Sequence, residues 1–268
     1  MRQRPLAQTS FTVSSLGLGT VKLGRNQQVK YPKDFDLPTD AEFLSLLDLA
    51  QQQGINFLDT APAYGTSEER LGKLLGSRRE DWVIMSKAGE DFVDGESVFD
   101  FSPSAIRESV ERSLRRLDTD RVECLLLHSD GNDLEILNHS GAVEELFALK
   151  EEGKILAHGI STKTVSGGQR AIELGLDSVM VTYNPWHTEE EAVLDTAEES
   201  GTSVFLKKSL GSGWFGKEEP DEDPVEKSLR FVFSHPAATS AIIGTINPKH
   251  LVENCEAIKR VETALPEA

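Results

Sequence analysis

The sequence predicts a closed (β/α)8 barrel, an α/β fold of the TIM-barrel class, and three observations carry that prediction. Short apolar, β-branched runs alternate along the whole chain with longer segments of helical period. Several of those runs are apolar at successive positions, as a parallel strand covered on both faces requires. Eight such units in 268 residues match the size of a barrel of this class, typically about 250 residues. The competing architecture, a doubly wound open sheet, carries a Gly-rich turn after its first strand. Here LGLGTVKLG (16–24) does not fit G-x-G-x-x-G.

Taken in order, SSLGLGT (14–20) reads as the first strand. DAEFLSLLDLAQQQG (40–54) then places Phe43, Leu46, Leu47 and Ala50 on one helical face and stops at Gly54. INFLDT (55–60) is the second strand, followed by the helix SEERLGKLLG (67–76) with its stop at Gly76. WVIMSKA (82–88) leads to SPSAIRESVERSLRRL (102–117), where Ser102 is placed to cap and Pro103 to sit in the first turn. VECLLLH (122–128), the helix AVEELFALKEEG (142–153) and ILAHGIS (155–161) continue the alternation, with Gly153 as the stop. SVMVTYN (178–184) follows Gly175, and TEEEAVLDTAEESG (188–201) runs to Gly201; SVFLKKSL (203–210) and SAIIGT (240–245) are the last two strands. The acidic run KEEPDEDP (217–224) reads as a solvated loop. No linker or composition shift divides the chain, so one domain over 1–268 is expected.

Composition narrows the function. With 28 Lys and Arg against 45 Asp and Glu the net charge is −17, which repels phosphate backbones and disfavours a nucleic-acid partner. Apolar residues at 38% supply a core, and the two cysteines, Cys124 and Cys255, form neither a disulfide framework nor a metal-ligand spacing. A cytoplasmic protein without a metal is expected. The N-terminus lacks the apolar core of a signal peptide, and no run approaches the ~18 apolar residues of a membrane span.

In such a barrel, function sits at the C-terminal ends of the strands. Those ends carry Asp59, Lys87, His128, Ser161, Tyr183-Asn184, Lys207-Lys208 and Thr245, with Tyr64 in the loop after Asp59. Singly, each has a bland reading: an Asp caps a helix, a His packs in a core, a Lys snorkels. Together, ionisable groups on apolar strand ends are costly unless they meet one another.

The motifs GINFLDTAPAYGTSEERLGKLL (54–75), VIMSKAG (83–89), RVECLLLHSD (121–130), GKILAHGIST (153–162), VTYN (181–184) and IIGTINPKHLVEN (242–254) resemble those of the aldo-keto reductases, over nearly the whole chain. The resemblance implies a catalytic tetrad of Asp59, Tyr64, Lys87 and His128, reducing aldehydes or ketones with a nicotinamide dinucleotide. The residue types suit that chemistry. A Tyr hydroxyl, with an ordinary pKa near 10, is a weak acid. A neighbouring Lys ammonium stabilises its phenolate, an Asp carboxylate keeps that Lys charged, and a neutral His can donate to the carbonyl oxygen.

The same resemblance implies cofactor contacts from Gly19, Thr20, Ser161, Thr162, Met180 and Lys207. It adds a pyrophosphate turn at Leu210, Gly211, Ser212 and Gly213, and Gly244, Thr245, Lys249, His250, Glu253 and Asn254 near the adenosine end. Thr162 stands where relatives usually have Asn, Met180 where they have Gln, and Lys207 about where many stack a Tyr. Gly244 and His250 replace a Lys and an Arg that grip the 2′-phosphate, and Lys249 compensates as a point charge. NADP(H) is therefore the expected cofactor, with NAD(H) the alternative. Trp186 and Trp214 are candidate pocket walls. The chain ends soon after Asn254 where relatives often carry a longer tail, which implies an open pocket and a range of small aldehydes. A monomer or weak homo-oligomer is expected. Two other functions fit the strand-end residues: a Schiff-base lyase using Lys87, Lys207 or Lys208, and a non-catalytic barrel that binds cofactor to regulate a partner.

Overall fold

The computed structural model describes residues 1–29, 34–211 and 223–266. An antiparallel hairpin of β1 (Gln3–Pro5) and β2 (Thr12–Ser14) comes first. Next are β3 (Leu16–Gly19), α1 (Val21–Gly24), α2 (Asp40–Gln52), β4 (Phe57–Asp59), α3 (Ser67–Leu75) and β5 (Val83–Ala88). A second hairpin, β6 (Glu90–Val93) and β7 (Glu96–Phe99), leads to α4 (Pro103–Leu117), β8 (Val122–His128), α5 (Asp133–His139), α6 (Ala142–Glu151) and β9 (Ile155–Ser161). The chain continues through α7 (Val165–Glu173), β10 (Ser178–Thr182), α8 (Glu191–Ser200), β11 (Ser203–Lys207), α9 (Pro224–Phe233), β12 (Ala238–Ile243) and α10 (Pro248–Ala264). Strands β3, β4, β5, β8, β9, β10, β11 and β12 pair in parallel in that order, and β12 returns to β3. The expected (β/α)8 barrel is present, with all eight expected strands in it. No helix among the described residues is long and apolar enough to cross a membrane.

The boundaries correct three expectations. The run 203–210 stops at Lys207 because Lys208 takes a left-handed φ of +56°. The run 178–184 stops at Thr182, and Asn184 turns back to exchange backbone hydrogen bonds of 3.1 and 3.0 Å with His187. The acidic run 217–224 does not end as loop: Asp223 accepts from the Val225 amide at 3.0 Å and Pro224 opens α9, the same cap-and-proline start as Ser102-Pro103.

Strand parity positions the site. Side chains of period two point alternately into the barrel and out to the helices. Phe57, Val83, Met85, Cys124, Leu126, Ala157, Met180 and Phe205 pack inside, joined by Leu6 and Val13 from the first hairpin. Leu58, Ile84, Leu125, Leu127, Ile160, Val179, Val181, Val204 and Leu206 pack outward under the helices. Counting on from the inner layer by two brings Asp59, Lys87, His128 and Lys207 to the inner rim at the strands' C-terminal ends. Tyr183 has the outward parity of Val179 and Val181. It is 2% exposed, packs its ring at a tilt against Phe231 with centroids 4.9 Å apart, and donates to Glu191 at 2.8 Å. Although it ends a barrel strand run, Tyr183 is a structural residue outside the mouth.

The loop carrying Tyr64 is held by a backbone crossing. A Cβ at Gly24 would stand 2.3 Å from both the Tyr64 carbonyl oxygen and the Ser67 amide nitrogen. Gly65, at φ +63°, faces the Gly24 carbonyl just as closely. Only a residue without Cβ permits this approach. Gly24→Ala should cost about 1–3 kcal/mol or more through overpacking against backbone that cannot yield. Equilibrium denaturant unfolding checks this; a wild-type midpoint would contradict the crossing.

Candidate active site

At the barrel's C-terminal mouth, Lys87 is 1% exposed and its ammonium donates to the Asp59 carboxylate and, at 3.0 Å, to the Thr60 carbonyl. Asp59 is itself 4% exposed. Its neighbours are fixed by backbone: the Thr60 amide donates to Met85 O at 2.8 Å, and Thr20 donates through both its amide and its hydroxyl to Asp59 O at 2.9 Å. The Ser67 hydroxyl in turn donates to Thr20 Oγ1 at 2.7 Å. These bonds lock the end of β4 to α3 and to the turn before α1.

Tyr64 closes over this pair. Lys87 Nζ lies 4.7 Å from the Tyr64 ring centre. His128 meets the same ring edge-on, with centroids 6.2 Å apart. Burial works against the Lys87 ammonium, but Asp59 and Tyr64 outweigh it and raise its pKa. Burial raises Tyr64, the Asp59 charge adds to that, and the opposing pull of Lys87 is smaller, so the hydroxyl is pushed up to about 12. Lys87 thus acts in the direction the residue types suggest, yet the net shift is opposite to the lowering expected from sequence. In this state Tyr64 is a neutral hydroxyl.

The opposite wall is built from β9, β10 and β11. Lys207 donates to Ser161 Oγ at 3.0 Å and to the Thr162 carbonyl at 2.5 Å. Burial pushes its ammonium down to about 8, against the nearby Glu190 carboxylate. Glu190 accepts from the Thr182 amide at 3.1 Å. Thr162 and Met180 are buried, and Met180 faces the apolar interior layer rather than the open mouth. Lys208 is turned out of the barrel wall and contributes its carbonyl, which accepts from Asn184 at 3.0 Å and from the Gly211 amide at 2.8 Å.

Trp186 is 44% exposed and its ring lies beside Gly211, whose Cβ would meet it at 3.6 Å. Leu210 lies under this turn; Ser212, Gly213 and Trp214 lie outside the described residues. Across the mouth, Gly19 sits buried against Ile242 and Ile243, and Gly244 is exposed beside Thr245, whose hydroxyl accepts from the Asn247 amide at 3.1 Å. Asn247 caps α10 by accepting from the Lys249 amide at 3.0 Å. Lys249, with its side chain 81% exposed, stands 3.6 Å from Glu253; His250 is exposed and Asn254 buried.

Sequence reasoning missed two carboxylates of this site, Glu190 beside Lys207 and Glu90. Glu90 opens β6 immediately after β5 and places Oε2 2.7 Å from His128 Nδ1. The signal was present: Asp94-Gly95 between alternating residues is a two-residue hairpin turn, and both residues have positive φ, +51° and +87°. Among the described residues no group of three or more His, Cys, Asp or Glu side chains could hold a metal ion.

Comparison with known proteins bears on the family and the fold. The model of the Aldo/keto reductase family matches residues 15–228. A crystal structure described as an aldo-keto reductase from Pseudomonas aeruginosa superposes with a TM-score of 0.87 at 50% identity, covering 97% of this chain and 96% of that one. An aldo-keto reductase from Bacillus halodurans, in its holo form, shares the fold with a TM-score of 0.82 at 24% identity, covering 100% and 97% of the two chains. A D-threo-aldose 1-dehydrogenase from a Pseudomonas species is 30% identical over 245 residues, covering 81% of this chain and 72% of that one. The Bacillus subtilis oxidoreductase YqkF is 29% identical over 294 residues, covering 96% and 91%.

The buried pair makes a stability prediction. Lys87→Met leaves the Asp59 carboxylate buried without its cation and should cost about 3–5 kcal/mol. Lys87→Met combined with Asp59→Asn removes the orphaned charge and should cost less. Chemical denaturation of both variants decides it, and a double variant as unstable as the single one would contradict the reading of the pair.

Proposed function

This chain belongs to the aldo/keto reductase family, and from that premise we propose that it is an NADP(H)-dependent oxidoreductase that reduces small aldehydes and ketones to alcohols. The observation that carries the proposal is the meeting of Asp59, Lys87, Tyr64 and His128 at one strand-end rim. When bound, the reduced nicotinamide supplies a hydride to the carbonyl carbon. The rest falls to the chain's own residues. Tyr64 gives its hydroxyl proton to the carbonyl oxygen as negative charge develops there. Lys87 stabilises the phenolate left behind, and Asp59 keeps Lys87 charged although it is buried. His128 orients the oxygen by contact at the ring. The hydroxyl pushed up to about 12 stays protonated until the transition state demands the proton, so Tyr64 acts as an acid and not as a standing phenolate.

The residues present fit the cofactor. Ser161 and Lys207 supply polar side chains on one wall. At the far side, the N-terminus of the long helix α10 and the exposed Lys249 offer positive potential to a phosphate, with the exposed His250 beside them. Lys249 near Glu253 is a partly neutralised cation, so the preference for the 2′-phosphorylated form is moderate. The lyase reading loses Lys87, whose ammonium is held by Asp59 and cannot serve as a free amine. Lys207 is its remaining candidate, because burial brings its ammonium down to about 8; borohydride trapping with a carbonyl substrate tests it.

Tyr64→Phe should lower carbonyl reduction by about 10²–10⁴-fold while cofactor affinity, read by fluorescence titration, changes little. Turnover within a few-fold of wild type would remove Tyr64 from the acid's role. NADPH should bind more tightly than NADH, and Lys249→Ala should narrow the gap; equal dissociation constants in the wild-type protein would refute the assignment of Lys249.

A further inference from the structure

Two lysine ammoniums stand on the rim, and they are satisfied differently. Lys87 is bonded to a carboxylate, so the charge of that pair cancels. Lys207 is bonded to neutral oxygens, Ser161 Oγ at 3.0 Å and the Thr162 carbonyl at 2.5 Å. It ends β11 with the inward parity of Phe205 and reaches over β10 to the end of β9. Ser161, which it holds, pairs in the sheet with His128 on β8. The ammonium is therefore one residue removed from the group that orients the reacting oxygen. Its charge is felt there, adding to burial in lowering the His128 imidazole.

The charged groups that face Lys207 are Glu190 from the turn after β10, Lys208 on β11 itself, Asp133 from α5 and Lys163 after β9. Two carboxylates oppose two ammoniums, so together they leave its charge standing. Glu190 is placed by the sheet. Its Oε1 accepts from the amide of Thr182, the residue paired with Lys207, while Oε2 has no hydrogen-bond partner among the described residues. Burial brings Lys207 down to about 8, so its charge is present at neutral pH.

A carbonyl oxygen held by Tyr64 and His128 fixes where its hydride must come from. The reacting carbon is one bond beyond that oxygen, and the donor must approach it to about 3–3.5 Å. The wall of β9, β10 and β11 that carries Lys207 faces this space. Loss of a hydride takes two electrons and a proton from a neutral dihydronicotinamide and leaves a pyridinium cation.

Resting on the oxidoreductase reading above, we propose that Lys207 discriminates between the two redox forms of the nicotinamide cofactor: its ammonium tolerates the neutral reduced ring and repels the oxidised pyridinium. Like charges repel strongly where water is excluded. The protein therefore holds the reduced form more tightly, lets the oxidised form go sooner, and makes a bound pyridinium a readier hydride acceptor. By linkage, the oxidised form in turn loosens the Lys207 proton.

Dissociation constants of the reduced and oxidised cofactor, measured by titration calorimetry below and above about pH 8, test this without turnover. The phosphates are common to both forms and cancel in the ratio of the two constants. Lys87 and Tyr64 titrate above this window and His128 below it. Below it the wild-type protein should favour the reduced form, and that preference should fall by about tenfold as Lys207 loses its proton. Lys207→Met should show the lower preference at every pH. Lys207→Arg, which keeps its charge, should show the higher one throughout. Should Lys207→Met fail to fold, the wild-type pH dependence and Lys207→Arg decide. A preference unchanged in Lys207→Met, or flat with pH in the wild-type protein, overturns the proposal while the cofactor reading stands. Wild-type protein that binds neither form defeats that reading and this inference with it.

Discussion

A lysine ammonium buried beside an aspartate at the end of an apolar barrel is the constraint on which the rest of this structure depends. Removing either charge from water is costly, and mutual attraction repays that cost only when the geometry is good and the remaining protons are satisfied. Both conditions hold. Lys87 spends a second donor on Thr60 O, and the Asp59–Thr60 backbone is fixed by Met85, Thr20 and Ser67. The pair needs β4 and β5 in their observed register, Leu58 opposite Ile84 and Asp59 opposite Met85. A slip of one residue would carry Lys87 to the helix side, where Ile84 and Ala88 pack.

The pair also sets the character of Tyr64. A hydroxyl beside a cation alone would be acidified. Here the cation is already engaged by a carboxylate in the same buried space, and burial itself penalises a phenolate. The balance leaves a hydroxyl that holds its proton and a lysine positioned to receive the charge only when that proton leaves. The long-range cost of this arrangement is a loop pressed tightly enough against α1 that Gly24 and Gly65 have no room for side chains.

Much of this was legible in the sequence. The eight strands followed from apolar runs and glycine stops because a parallel barrel buries both strand faces and leaves a plain local signal. Asp59, Lys87 and His128 were legible as ionisable residues at the C-terminal ends of strands whose inward positions are otherwise apolar. Parity would have refined the list: Tyr183 shares the face of Val179 and Val181, and counting by two excludes it without a structure. Helices α9 and α10 went unread because the first opens inside an acidic run and the second was absorbed into a motif. The Asp94-Gly95 turn marked the hairpin, but Glu90 itself was missed because it reaches from that hairpin to His128 at the end of β8, which spacing along the chain does not reveal. The net rise at Tyr64 was out of reach for the same reason, since it depends on burial and on three charges at known distances.

The central claim is that this rim moves a hydride to a carbonyl carbon with a proton supplied by the protein. Turnover of an aldehyde with reduced nicotinamide cofactor carrying deuterium at C4, followed by mass spectrometry of the alcohol, tests it most directly. The account predicts one deuterium on the carbinol carbon in step with cofactor oxidation. Cofactor oxidised without label in the alcohol, or an aldehyde panel left unreduced, would contradict it.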